Sequence, residues 1–135
     1  MKYSAGLVVI KNNKILLCHP TNSSWRGSFS IPKGIIEEGE SILETAIRET
    51  KEETGLDIPK SMIDPTKYTV DYKKENKIYK RVYYYVANIN KLNMPEILPK
   101  GQLQLEEIDY AKFFTKEEAK KIILNRISSV LQHLK

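Results

Sequence analysis

Cysteine is almost absent from this chain: Cys18 is the only one in 135 residues, so no internal disulfide can form. A domain of this length buries about two-thirds of the surface its unfolded chain exposes, and it needs no such staple. The lone cysteine therefore reads as that of a reducing, cytoplasmic setting. Long apolar runs are missing too. Ala5 to Ile10 is broken at Lys11 to Lys14 and lacks a small-residue cleavage pattern, so it is too short and too interrupted for a signal peptide or a membrane span. Histidine is equally scarce. With Cys18 and His19 adjacent and only His133 besides, a tetrahedral zinc site has too few ligands. Glycine and proline, six each, form no linker, and no repeat is found, so residues 1–135 read as one domain.

What the chain does have is a segregated charge. The net charge is +5, yet residues 37 to 53 hold seven glutamates against Arg48 and Lys51, a local −5, which leaves +10 on the remainder. An acidic segment inside a basic protein points to hard cations held at one place and an anionic ligand drawn in by its surroundings.

Tyr3 to Ile10 and Lys14 to Cys18 predict two strands joined by a turn at Lys11-Asn12-Asn13. Thr21 to Gly27 reads as a loop carrying the only tryptophan, Trp25. Ser41 with Glu44 is a capping-box pattern and Gly55 a stop signal, so a helix of about four turns follows Ser41. Tyr68 to Tyr72, Ile78 to Ile89 and Ile108 to Phe114 carry strand composition. Thr115 with Glu118 forms a second capping box, so Lys116 to Leu124 should be helical, with another helix over Arg126 to Leu134. This order, strands first and helices last, is that of an α+β fold.

On the central helix, Ile42, Leu43, Ala46, Ile47 and Thr50 share one side, the expected core face. Glu49, Glu52 and Glu53, at i, i+3 and i+4, cluster at its edge, where three like charges repel unless cations neutralise them. The plain alternative is a solvated, charged helix face.

The surrounding residues lower the weight of that alternative. Gly34, five residues, Glu40, seven residues, Arg48-Glu49, Thr50, one residue, Glu52-Glu53, one residue, Gly55-Leu56 resembles the box of the Nudix hydrolases over residues 34–56. Only Thr50 departs, standing where the family usually has an aliphatic residue. Pro32-Lys33-Gly34, Glu44-Thr45-Ala46, Arg48-Glu49-Thr50, Leu105-Glu106 and Tyr110 are similar to the asymmetric diadenosine tetraphosphate hydrolase branch.

The resemblance implies a Nudix fold, a mixed β-sheet sandwiched between helices, and hydrolysis of a phosphoanhydride with Mg²⁺ or Mn²⁺. It assigns metal ligation to Gly34 through its carbonyl, and to Glu49, Glu52, Glu53 and Glu106, with Glu107 in reserve if the register is one residue off. It makes Glu49 and Arg48 the catalytic pair, Arg48 orienting a carboxylate. Lys33, Lys80, Tyr72, Tyr84 and Tyr110 are then expected to hold a nucleotide substrate, the tyrosines as stacking surfaces, with Tyr72 standing 16 residues after Leu56 as in dinucleoside polyphosphate hydrolases. Lys73 to Arg81, a local +4, would favour polyphosphate.

The expected reaction is cleavage of diadenosine tetraphosphate to ATP and AMP. The alternatives are a nucleoside triphosphate or RNA 5′-end pyrophosphohydrolase and a non-catalytic nucleotide-sensing domain. The expected partner is a small nucleotide, with no membrane, and no nucleic acid apart from a capped or triphosphorylated RNA end. His19 reads as an ordinary strand-end histidine, and the sequence is silent on oligomeric state.

Overall fold

The continuous aliphatic run near the amino terminus, buried on both faces, forms the centre of the molecule. The computed structural model describes residues 1–135. Strand β1 (Lys2–Lys11) turns into β2 (Lys14–Pro20) through Asn12 and Asn13, whose φ values of 51° and 60° suit the two-residue hairpin that the asparagines predict. The hairpin opens at once: β1 and β2 pair only at Ile10 with Ile15 and Lys11 with Lys14.

Into the fork comes a segment with no strand signal of its own. Ser30 exchanges both backbone hydrogen bonds with Cys18, at 2.8 and 3.0 Å, and the short strand β3 (Lys33–Ile35) pairs with Ser4 to Gly6 of β1. Gly6 permits this approach, because a Cβ there would stand 2.5 Å from the Pro32 carbonyl oxygen.

The remaining elements are helix α1 (Ile42–Thr54), strands β4 (Tyr68–Lys74), β5 (Lys77–Asn88) and β6 (Ile108–Phe114), and helix α2 (Lys116–Ile122). The sheet runs β4-β5-β1-β2-β6, with β1 and β5 parallel and the other pairings antiparallel, so the expected mixed sheet is present. Helix α1 covers one face, over Ala5, Leu7, Val9 and Leu16, and α2 with the carboxyl-terminal segment covers the other, over Val8, Ile15 and Leu17. No helix is long and apolar enough to cross a membrane.

Both capping boxes form, and α1 ends on Gly55 at φ 78°, a left-handed position that glycine occupies without strain. The carboxyl-terminal expectation is corrected in two respects. Helix α2 stops at Ile122, because Phe29 donates its N–H to the Ile122 carbonyl and accepts from Leu124, pulling the chain out of the helix. Asn125–His133 then winds as a 3-10 helix that buries Ile127, Val130 and Leu131.

The core face of α1 is also corrected. Thr45, Ala46, Thr50, Glu53 and Thr54 are buried, while Ile42 and Ile47 lie at the margin and Leu43 is half-buried outside the core cluster. The helix is turned so that its carboxylate side leans toward the sheet. Thr50 fits this interior because its hydroxyl donates to the Ala46 carbonyl at 2.8 Å.

Candidate active site

Three elements meet at one end of the sheet: β3, the amino-terminal loop of α1, and α1 itself. Arg48 ties them together. Its Nε and Nη2 donate to the two Glu40 oxygens at 2.6 and 3.0 Å, Nη1 donates to Glu49 at 2.9 Å and to Glu52 at 3.2 Å, and Nη2 reaches the Ile35 carbonyl at 3.2 Å. One planar guanidinium thus fixes three carboxylates, a task that needs its forked geometry. Arg48 holds the Glu40 carboxyl down at about 2, helped by the Thr45 hydroxyl at 2.6 Å. The box glutamate at position 40 is therefore a strut between loop and helix.

Glu53 faces inward. It is 9% exposed, and its Oε2 accepts the Lys33 backbone N–H at 3.1 Å. Burial, with the Glu49 charge beside it, pushes its carboxyl up to about 8. Lys33 is half-buried, and the desolvation lowers its ammonium, with the Lys80 charge lowering it further. A cavity of about 180 Å³ opens here, lined by Cys18, Ser30, Lys33, Glu53 and Glu107 among others. Gly34 is packed so closely by Glu49 that a Cβ would overlap its carboxylate.

The expected metal ligands do not converge on one point, and no group of three or more Asp, Glu, His or Cys side chains is gathered for an ion. Glu49 and Glu52 are engaged by Arg48, Glu53 is held by β3, and Glu106 is exposed and does not line the cavity. Its neighbour Glu107, exposed as well, does line the cavity, placed there by the turn that closes on the Gln104 carbonyl through the Glu107 and Ile108 amides. The donors still fit a hard divalent cation. Glu49 and Glu53 are adjacent carboxylates, one buried at a cost that a cation would offset, beside a glycine whose missing Cβ leaves room for them.

The tyrosines divide. Tyr84 is 1% exposed and Tyr72 6%, both inside the core on the face opposite α1, each with a hydroxyl that has no hydrogen-bond partner. Tyr84 is thus a core residue and not the stacking surface expected of it, since the 3-10 helix covers that face of β5. Tyr110 is half-buried and packs against Trp25, with centroids 5.3 Å apart, and against Phe29. Trp25 is 51% exposed. Lys80 lies over the Tyr72 ring, its Nζ 5.1 Å from the centroid.

His19 bonds Asp109 through Nδ1 at 2.6 Å and lies 3.2 Å from the Ser24 carbonyl through Nε2, so it anchors the loop that bears Trp25. Along the sequence nothing marks Glu40 as a strut or gives a role to Trp25 or to Arg126, whose guanidinium carbon lies 5.2 Å from the Tyr72 ring centroid. The solitary tryptophan in a polar loop was the one available signal.

The NUDIX domain family model matches residues 1–134. An ADP-ribose pyrophosphatase of Methanocaldococcus jannaschii is 49% identical over 53 residues, 39% of this chain and 31% of that protein. An asymmetrical bis(5′-nucleosyl)-tetraphosphatase of mouse is 38% identical over 64 residues, 47% of this chain and 43% of that protein. The chain thus matches less than half the length of either curated relative. The crystal structure of a Caenorhabditis elegans Ap4A hydrolase in a binary complex superimposes with a TM-score of 0.72 at 27% identity, covering 98% of this chain and 93% of that one.

Proposed function

The chain belongs to the NUDIX family, and from that premise we propose that it hydrolyses a phosphoanhydride with a divalent cation, cutting diadenosine tetraphosphate to ATP and AMP. The observation that carries the reaction class is the buried Glu53 beside Glu49, held against β3 while Arg48 fixes the rest of the cluster.

Glu49, Glu53 and the Gly34 carbonyl would hold the cation, with Glu52 beside them and Glu107, in the place expected of Glu106, across the cavity. A divalent cation held by these residues would supply charge neutralisation for the phosphoanhydride and a more acidic water. The chain's own part is positional. Arg48 holds Oε1 of Glu49, which leaves its other oxygen as the candidate proton acceptor. Lys33 supplies a desolvated ammonium to a phosphate oxygen at the cavity wall.

For substrate, the full-length similarity to the nematode Ap4A hydrolase and the match to the mouse tetraphosphatase favour a dinucleoside polyphosphate. Trp25 and Tyr110 offer the flat surface for a nucleobase, at about 1 to 3 kcal/mol per stacked base. A second reading, ADP-ribose, rests on the archaeal relative, whose similarity spans only 53 residues. Product analysis with diadenosine tetraphosphate, nucleoside triphosphates, ADP-ribose and 5′-triphosphorylated RNA, with Mg²⁺, with Mn²⁺ and in EDTA, tests both. ATP plus AMP as products, lost in EDTA, is expected. Two ADP molecules, or a preference for ADP-ribose or a triphosphate, would refute the substrate, and full activity in EDTA would refute the metal.

A further inference from the structure

The loop that bears Trp25 is tied to the turn that bears Glu107. At the root of the loop, Thr21 donates its N–H to the Glu107 carbonyl at 2.9 Å and its hydroxyl to the Leu105 carbonyl at 2.8 Å. Beside it, His19 bonds Asp109 through Nδ1 at 2.6 Å. A bulge makes that contact: the β2–β6 ladder pairs His19 with Tyr110 and Pro20 with Ile108, so Asp109 is the extra residue, out of the ladder with its carboxylate on the imidazole. The same imidazole lies 3.2 Å from the Ser24 carbonyl through Nε2, and its centroid is 5.0 Å from that of the Trp25 indole. The backbone of Glu107 is thus held on both sides, by the Gln104 carbonyl on its N–H and by Thr21 on its carbonyl.

We infer that Thr21, His19 and Asp109 are positioning residues that couple these two ends, so that a nucleobase seated on Trp25 and Tyr110 sets Glu107 for the cation. The inference rests on the base surface and the metal ligands given in the proposed function. Trp25 and Glu107 are both exposed, and the brace joins them along the surface, outside the two core clusters. A base that orders the Trp25 loop therefore orders the Glu107 turn as well, and a cation that binds next loses less conformational entropy. The effect is reciprocal, since the cation must favour the base by the same factor. None of the three residues touches substrate or metal in this scheme.

Adenosine and Mn²⁺ test the coupling without turnover, because adenosine has no phosphate with which to touch the metal. Trp25, the only tryptophan, reports adenosine binding by its fluorescence, and Mn²⁺ binding is read by calorimetry. In the wild-type protein, saturating adenosine is expected to lower the Kd of Mn²⁺ about fivefold or more, and Mn²⁺ to lower that of adenosine equally. Thr21→Val keeps the shape of the side chain and removes its hydroxyl. It should bring the factor to about twofold or less while each ligand still binds alone, and Thr21→Ser should restore it. Asp109→Asn, which weakens the other arm of the brace, should lower the factor too. No mutual effect in the wild-type protein, or the full effect in Thr21→Val and Asp109→Asn alike, would overturn the coupling and leave the proposed function standing. Unchanged Trp25 emission with adenosine would refute the base surface, and absence of Mn²⁺ binding the metal ligands, and the coupling would fall with either.

Discussion

Glu53 is the residue at which fold and chemistry are most tightly joined. Folded and free of metal, its carboxyl keeps a proton up to about 8, whereas an unfolded chain releases it near 4.5. The folded state therefore binds more protons between those values, so stability falls as pH rises across that window and stays low above it. The melting temperature of the metal-free protein should decline from about pH 5 to 8, and Glu53→Gln should flatten the decline while lowering turnover by about 10²-fold or more. A wild-type profile in the variant would contradict the burial argument.

Arg48→Lys should cut turnover at least about tenfold with little change in KM, because one ammonium cannot hold Glu40, Glu49, Glu52 and the Ile35 carbonyl together. Tyr84→Ala belongs to another class. Emptying a fully buried ring position costs about 3 to 5 kcal/mol, so thermal denaturation should show a destabilised protein, not a folded one with weak substrate binding.

At the scale of elements, α1 is held at both ends by different means. Its amino terminus carries its own capping box, while its carboxyl terminus depends on a distant loop: Gln104 donates its N–H to the Glu53 carbonyl at 3.0 Å, and Gln102 donates through Nε2 to the Thr54 carbonyl at 2.9 Å. Gly55 makes that docking fit, since a Cβ there would stand 2.8 Å from Gln102. Gly55→Ala therefore combines left-handed strain with a clash, and a loss of about 1 to 2 kcal/mol in chemical denaturation is expected. Because the same loop continues into Glu107, that variant should also lose turnover, and normal turnover in the folded variant would separate the loop from the site.

Over the whole molecule, the acidic cluster sits in a chain of net charge +5. Basic surroundings would draw the proposed polyphosphate substrate toward the cluster over distances comparable to the Debye length, about 8 to 10 Å at ordinary salt. Raising ionic strength from about 0.05 to 0.5 M should lower kcat/KM several-fold through KM while kcat holds. A salt-independent kcat/KM would show that the positive field plays no part in capture.

The caps of both helices, the Asn12-Asn13 turn, the strand β6 and the spacing of Gly34, Glu40, Arg48 and the three glutamates were all readable along the chain. The caps and the turn depend on residues within a turn or two of one another, where side-chain chemistry acts on its own backbone, and the glutamate spacing was legible through its resemblance to a family pattern. The rest came from contacts between residues far apart in sequence. Phe29 ends α2 from more than 90 positions away, and Ser30 to Ile35 becomes part of the sheet only because β1 and β2 part to admit it. That insertion brings the Lys33 amide to Glu53, and so decides that this glutamate is buried while Glu52 stays in solvent. The 3-10 helix likewise seals Tyr84 and brings Arg126 to Tyr72. Periodicity shows which residues share a side of an element, but which side meets water is settled only when the other elements arrive.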